Sequence, residues 1–368
     1  VKTAEPGTVA ILAPSLSGGG AEHVASLWAS ALQARGYRVR VLLTNPSEAD
    51  LATTHLEVVD VSSRLRSFVG AVPMVRRAVR ATPVDAVLSV MPYWNLIALI
   101  VAASLPTRVR PSVTISDHTL HVPQRATASR STKFQLALAK LLYRRAGSWI
   151  AVSHPVAAEM AALYGLDSSR LWVVVNPVAD SSGTRRPPPA SAETDPTLRL
   201  VFAGRLSPEK RPLTAVQVAA TLARDHSIPV ALDVFGVGPL EDEMRTLAGS
   251  LGVPITFHGW ADRWFDRVTR HSVLLMPSKV EGFGNVLVEA AAASIPAVVS
   301  SRALGVADAC IPGITAVLAS TDSVPAYALA VLEARSLPFA VIDEWLRRFS
   351  SETGGDLVAE AVSRAASR

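Results

Sequence analysis

Cysteine is nearly absent from these 368 residues, with Cys310 as the only one. One thiol makes neither an internal disulfide nor a thiolate metal cage, which fits a reducing compartment. Long apolar runs are missing too. The longest uncharged one, Trp94 to Leu105, falls well short of the roughly 20 residues a spanning helix needs. No charged segment followed by an apolar stretch opens the chain, so secretion is not expected. The first residue is Val1 rather than Met, which leaves the true start open. Only 18% of residues are charged against 49% hydrophobic, a balance that excludes a disordered chain. The length exceeds one ordinary core and suits two domains of roughly 150 to 200 residues.

Charge is unevenly spread. Residues 1–180 hold 18 Lys and Arg against 11 Asp and Glu, a net of +7. Residues 181–368 hold 18 against 20, a net of −2. A basic first half and a slightly acidic second half imply different partners. Arg64, Arg66, Arg76, Arg77 and Arg80 surround an apolar stripe that includes Leu65, Phe68, Val69, Val72, Val75 and Val79. A helix of that kind can lie on anionic membrane, or it can pack on its own sheet with a solvated basic face. Lys133, Lys140, Arg144 and Arg145 add to the same half. Recognition-helix, zinc-finger and RNA-binding signatures are absent, so nucleic acid is not an expected partner.

Short β-branched runs alternate with longer Ala/Leu-rich stretches. Val9–Ala13, Arg38–Leu43, Ala86–Val90, Ser112–Ile115, Ser148–Val152 and Trp172–Val175 read as buried strands. Helical patterns lie between them at Ala21–Ala34, Leu65–Val79 and Lys133–Arg144. A second series follows with strands at Leu198–Ala203, Val230–Phe235, Ile255–Phe257, Val273–Met276 and Ala297–Val299. Alternation of this kind implies parallel sheets with helices on both faces. Three consecutive prolines from Pro187 make 181–197 a linker. The expected division is therefore a first α/β domain over 1–180, a second over 198–338, and helices over 339–368 that cross back. Two doubly wound, Rossmann-like domains facing across a cleft would place ligands beyond the carboxyl ends of their strands.

Chemistry concentrates in the second half. After Met276 come Glu281, Gly282, Phe283 and Gly284, and a helix opens near Asn285 and Val286, with Glu289 about one turn in. A strand, a glycine turn and a helix start suit a pyrophosphate at the positive end of the helix dipole. Glu281 is then placed to hold sugar hydroxyls, and Glu289 to accept from ribose hydroxyls. The plainer alternative is a capped helix with acid in its first turn. Gly204 ends another strand, and Arg205 and Lys210 flank the turn after it. Two cations on one loop suit a diphosphate leaving group, whose charge grows as the glycosidic bond breaks.

This combination resembles the retaining glycosyltransferases of family four, which have the two-domain GT-B fold. Their E-x7-E signature is matched by Glu281 and Glu289, and their phosphate-binding Arg and Lys by Arg205 and Lys210. The family's later glycine turn appears as Gly236 and Gly238, and its base-contacting segment as His258 and Gly259. Asn176-Pro177 resembles the Asn-Pro that closes the family's first domain, and Val152-Ser153 a pair shortly upstream. In the first half, Ser17-Gly18-Gly19-Gly20-Ala21-Glu22 resembles the loop whose backbone approaches donor phosphate or acceptor. Its spacing is not a dinucleotide fingerprint. His118, in Ser116-Asp117-His118-Thr119, falls where similar enzymes carry a histidine near acceptor and sugar, with Asp117 to orient it. The segment Ser301 to Asp308 departs from the family's two glycines and glutamate, which leaves the sugar open.

The resemblance implies a retaining, cofactor-free hexosyltransferase using a nucleotide-diphosphate sugar and a glycan or lipid-linked acceptor. The sequence names neither sugar nor base, and the working expectation is a UDP-linked hexose or N-acetylhexosamine, with GDP-mannose next. No convincing Asp-x-Asp pair marks a metal site, and no metal is expected, because the cations and the helix dipole do its electrostatic work. The expected setting is cytoplasmic, with peripheral contact at the inner face of the cell membrane during envelope polysaccharide assembly. The rival readings are a nucleotide-sugar epimerase on a related scaffold, for which no acid/base set can be assigned, and a non-catalytic nucleotide-sugar-binding protein.

Overall fold

A computed structural model describes residues 7–16, 19–53, 55–63, 67–125, 129–178, 197–269, 271–338 and 343–366. Two compact units divide the chain: Val1–Pro177 with Arg348–Arg368, and Val178–Arg347. The stretch read as a linker lies, but for Thr197, outside the described residues, as do Ser17, Gly18, Arg64, Leu65 and Arg66.

The first unit runs β1 (Thr8–Ala13), α1 (Gly20–Ala34), β2 (Arg38–Leu43), α2 (Glu48–Leu51), β3 (Glu57–Asp60), α3 (Phe68–Ala81), β4 (Ala86–Val90) and α4 (Pro92–Ala103). It continues through β5 (Ser112–Asp117), α5 (His121–Arg125), α6 (Arg130–Leu142), β6 (Ser148–Ala151), α7 (His154–Tyr164) and β7 (Leu171–Val173). Its seven strands lie in the order β3-β2-β1-β4-β5-β6-β7, and every pair is parallel. Parallel strands need covered faces, which is why runs such as Val9 to Ala13 are buried residue after residue. Val9, Ile11 and Ala13 pack into a core with Val24, Trp28 and Leu32 of α1. On α4's side of the unit, α4 packs against α3 and α6.

The second unit runs β8 (Leu198–Ala203), α8 (Pro212–His226), β9 (Val230–Phe235), α9 (Glu241–Leu251), β10 (Ile255–Gly259), β11 (Ser272–Met276), α10 (Asn285–Ala292), β12 (Ala297–Ser300), β13 (Ala316–Ala319), α11 (Val324–Ala334) and α12 (Asp343–Arg347). Its order is β10-β9-β8-β11-β12-β13, again wholly parallel. Strand order therefore reverses between β8 and β11 here, and between β1 and β4 in the first sheet. Crevices open at such reversals, beyond the carboxyl ends of the strands.

The chain then returns to the first unit. Helix α13 (Ser351–Ala366) packs on α1, β5 and β6, and Val358, Ala361 and Val362 join the first core. Arg35, which caps the end of α1, donates to Asp356 at 2.6 Å and to the Glu352 carbonyl at 2.7 Å, and the Ser148 hydroxyl donates to the Ala361 carbonyl at 2.8 Å.

Candidate active site

In the second unit the reversal point is where the charged loops meet. The segment after β8 carries Gly204, Arg205 and Lys210; the segment after β11 carries Glu281. Lys210 Nζ donates to both carboxylate oxygens of Glu281 at 2.7 Å. Glu281 is buried, whereas Arg205 is exposed. The Lys279 amide donates to the Glu209 carbonyl at 2.8 Å, a second tie between the same two segments. Burial alone would raise the Glu209 carboxyl. The Ser207 hydroxyl at 2.6 Å, Lys210 and Arg205 outweigh it and hold the group below its usual value. Arg211, in the left-handed region at φ 53°, opens α8 and pairs with Asp322.

The loops after β8, β9 and β10 interlock through their backbones. The Gly204 amide donates to the Phe235 carbonyl at 2.8 Å, Leu206 to Val237 at 3.0 Å, and Gly236 to Gly259 at 2.7 Å. Gly236 sits at φ 140°, and a Cβ there would fall 1.9 Å from the Gly204 carbonyl oxygen. One at Gly238 would fall 2.5 Å from that of Leu206. Glycine at both positions lets two loops touch where any side chain would separate them.

From this lattice a wall of rings leads to Glu289. His258 stacks on Phe235, with centroids 4.4 Å apart and planes 8° from parallel, and Phe235 lies 6.0 Å from Trp264. Trp264 Nε1 donates to Glu289 Oε2 at 2.6 Å. Burial raises the Glu289 carboxyl to about 7; the Trp264 bond lowers it and Asp262 adds to the rise. His258 Nε2 lies 2.9 Å from Asp233, whose other oxygen takes Arg199 at 3.0 Å. Gly284, at φ 94°, precedes α10, whose first turn carries Asn285 and Val286; Gly282 and Phe283 are buried beneath. The segment after β12 is seated on this turn, because a Cβ at Gly305 would fall 2.1 Å from the Glu281 carbonyl oxygen.

In the first unit, Gly19 caps α1 and Gly20 begins it. Trp28 of the same helix lies 5.6 Å from the His118 ring. His118 Nε2 and the Ser116 hydroxyl are 3.0 Å apart. Burial lowers the His118 pKa to about 4 against the raising effect of Asp117, so the ring is neutral near pH 7. The expectation that Asp117 orients His118 is corrected. Asp117 Oδ1 accepts from Asn95 Nδ2 at 2.9 Å and from the Tyr143 hydroxyl at 3.1 Å, and Oδ2 from His121 Nε2 at 2.9 Å. Successive strand residues point to opposite faces, so Ser116, two positions away, is the natural neighbour of His118. Burial pulls His121 down, but Asp117, then Glu159, leave it above its usual pKa. Ser153 caps α7 by accepting from the Val156 amide at 3.3 Å, and Asn176 is buried.

Three groups here carry no signal in the sequence: Trp264 on Glu289, and Asp233 with Arg199 behind His258. All three depend on lateral neighbours 25 to 34 residues distant. Among the described residues, no three His, Cys, Asp or Glu side chains gather as a metal site.

Two wholly parallel α/β sheets, the second with charged loops at its reversal point, fit a glycosyltransferase scaffold, and the family models agree. The model for Glycosyltransferase Family 4 matches residues 18–182, and that for Glycosyl transferases group 1 matches residues 185–350. The chain belongs to the family-four glycosyltransferases of GT-B fold. A D-inositol 3-phosphate glycosyltransferase of Rhodococcus opacus (strain B4) is 35% identical over 161 residues, which is 39% of this chain and 36% of that protein. The matched part thus spans about a third of such relatives. Anabaena HepE in complex with UDP-glucose has a TM-score of 0.77 at 17% identity, covering 97% of this chain and 99% of that one. The lipopolysaccharide outer core galactosyltransferase WaaB, in its apo form, has a TM-score of 0.73 at 17% identity with the same coverage. At these identities the likeness to solved structures establishes the fold.

Proposed function

We propose that this chain is a retaining transferase that moves a hexose or N-acetylhexosamine from a nucleotide-diphosphate sugar, UDP ahead of GDP, to a hydroxyl of a glycan or lipid-linked acceptor. The observation that carries this reading is the Lys210–Glu281 bridge across the reversal point of the second sheet. It sets a cation and a hydrogen-bond acceptor side by side beyond the strand ends. Lys210, the exposed Arg205 and the positive end of α10 would neutralise the departing diphosphate, so no divalent metal is needed. Glu281 keeps lone pairs for sugar hydroxyls while its charge is matched by Lys210. Glu289 would take ribose hydroxyls, and the His258 and Phe235 rings the base.

The sugar–phosphate bond breaks, and the acceptor hydroxyl attacks from the face the diphosphate leaves. Its proton passes to the leaving phosphate oxygen. Neutral His118 would line the sugar and acceptor without competing for that proton. HepE with UDP-glucose supports the choice of donor, and the inositol phosphate named in the relatives supports an anionic acceptor for a basic first half.

The test is a thermal-stabilisation screen of UDP, UDP-hexoses, UDP-N-acetylhexosamines and GDP-mannose, since a ligand at 100 times its Kd stabilises by about 2.7 kcal/mol. UDP compounds should raise the midpoint most, and the best donor should yield product with a glycan, lipid-linked or inositol phosphate acceptor. No stabilisation by any of them, and no product, would sink the reading.

A further inference from the structure

Helix α6 of the first unit buries Leu136, Ala139 and Leu142 and packs on α4. Its outer side is odd for a solvated helix. Phe134 is 61% exposed and Leu141 64% exposed. They stand seven residues apart, two helical turns, and so project along one stripe. Lys133 and Lys140 repeat the same spacing beside them, also exposed, and line a pocket of about 170 Å³ with His121 and Tyr164.

Charge around this stripe has one sign. From residue 61 to residue 158 the chain holds thirteen Lys and Arg but only two acids, Asp85 and Asp117. Asp117 is buried under its three hydrogen bonds, and Asp85 accepts from the Thr8 amide. Helices α3, α4, α5 and α6 carry no acid at all. Helix α7 brings Glu159, whose carboxylate is engaged by the His121 and Val122 amides. Cores of protein interfaces are depleted of lysine. Isolated large apolar side chains set among long cationic stems instead match a lipid surface, which takes rings and leucines at the acyl boundary and ammonium groups at its phosphates.

We propose that α6 docks the first unit on anionic phospholipid bilayers, with Phe134 and Leu141 entering the headgroup boundary and Lys133 and Lys140 meeting headgroup phosphates. This places the membrane contact on α6 rather than on the segment 64–80, whose sequence pattern leaves membrane contact and packing on its own sheet both open. In α3, Val75 and Val79 are spent on the core and Val69 is its only strongly exposed valine.

Cosedimentation of the full chain with phosphatidylcholine vesicles, with and without phosphatidylglycerol, tests this. Binding should require phosphatidylglycerol and weaken at high salt. The Lys133→Ala/Lys140→Ala pair should lower partitioning about 30-fold. Phe134→Ser/Leu141→Ser should lower it roughly tenfold or more. Neither pair should move the melting point, because all four side chains are exposed; if the apolar pair does, the lysine pair decides. No phosphatidylglycerol-dependent binding at low salt overturns the proposal. So does binding that survives both α6 pairs and is lost instead in Arg77→Ala/Arg80→Ala.

Discussion

With Glu289 holding the ribose, as proposed, folding and ligand binding make opposite demands on its carboxyl, and pH separates them. Its carboxyl titrates at about 7 in the folded chain because it is buried, against a usual value of 4.5. Between those two values the folded state holds more protons than the unfolded one. The contribution of Glu289 to stability is therefore full below 4.5 and is lost as pH rises through 7. At 1.36 kcal/mol per unit, the loss between pH 5 and pH 8 comes to about 2 to 3 kcal/mol. Glu289→Gln keeps an oxygen for Trp264 and removes the titration. Urea denaturation of both proteins across that range isolates the term, since every other group is common to the two. The stability difference should shift toward the variant by that amount on going from pH 5 to pH 8. UDP affinity should run the other way. Ribose hydroxyls donate best to a carboxylate, so wild-type affinity should rise through pH 7 and the variant's should stay level. Parallel stability curves for the two proteins would refute the burial argument. A shared affinity profile would remove Glu289 from the ribose.

Lys210→Ala and Glu281→Ala should each cut transfer at least a hundredfold, on the scale of a lost electrostatic donor. Lys210→Ala should also cost about 1–3 kcal/mol of stability, because it strands a buried carboxylate; rates near wild type from either folded variant would dismiss the site. Gly236→Ala drives a methyl group into the Gly204 carbonyl and should destabilise the second unit by more than about 3 kcal/mol, read as a lowered urea midpoint. Transfer should persist in excess chelator, and a strict requirement for a divalent ion would contradict a leaving group stabilised by Arg205 and Lys210.

The sheets are legible in the sequence because parallel strands are covered on both faces and read as unbroken apolar runs. The two strands that escape notice are four residues long and lie where that rule relaxes. β3, at a sheet edge, is only partly buried and flanked by Glu57 and Asp60. β13, the opposite edge of the second sheet, is built from alanine and leucine with one valine. The charged loops are legible because each follows a strand end within a few residues. Their partners are not. Asp233 reaches His258 only through the register of β9 on β10, which shifts between Phe257 and Gly259. Trp264 reaches Glu289 from a short 3-10 turn with no pattern of its own. Reading Asp117 beside His118 fails for a related reason, since adjacency along a strand is opposition in space.

The return of α13 has a bearing on synthesis. Val358, Ala361 and Val362 belong to a core whose other members are translated at least 180 residues earlier. The first sheet must wait on the ribosome with one flank of α1 and β5 uncovered until α13 emerges. The second unit is continuous in sequence and can fold in the interval. A nascent chain stopped after residue 347 would hold a finished second unit and an unfinished first one, so the exposed flank is where a chaperone would bind.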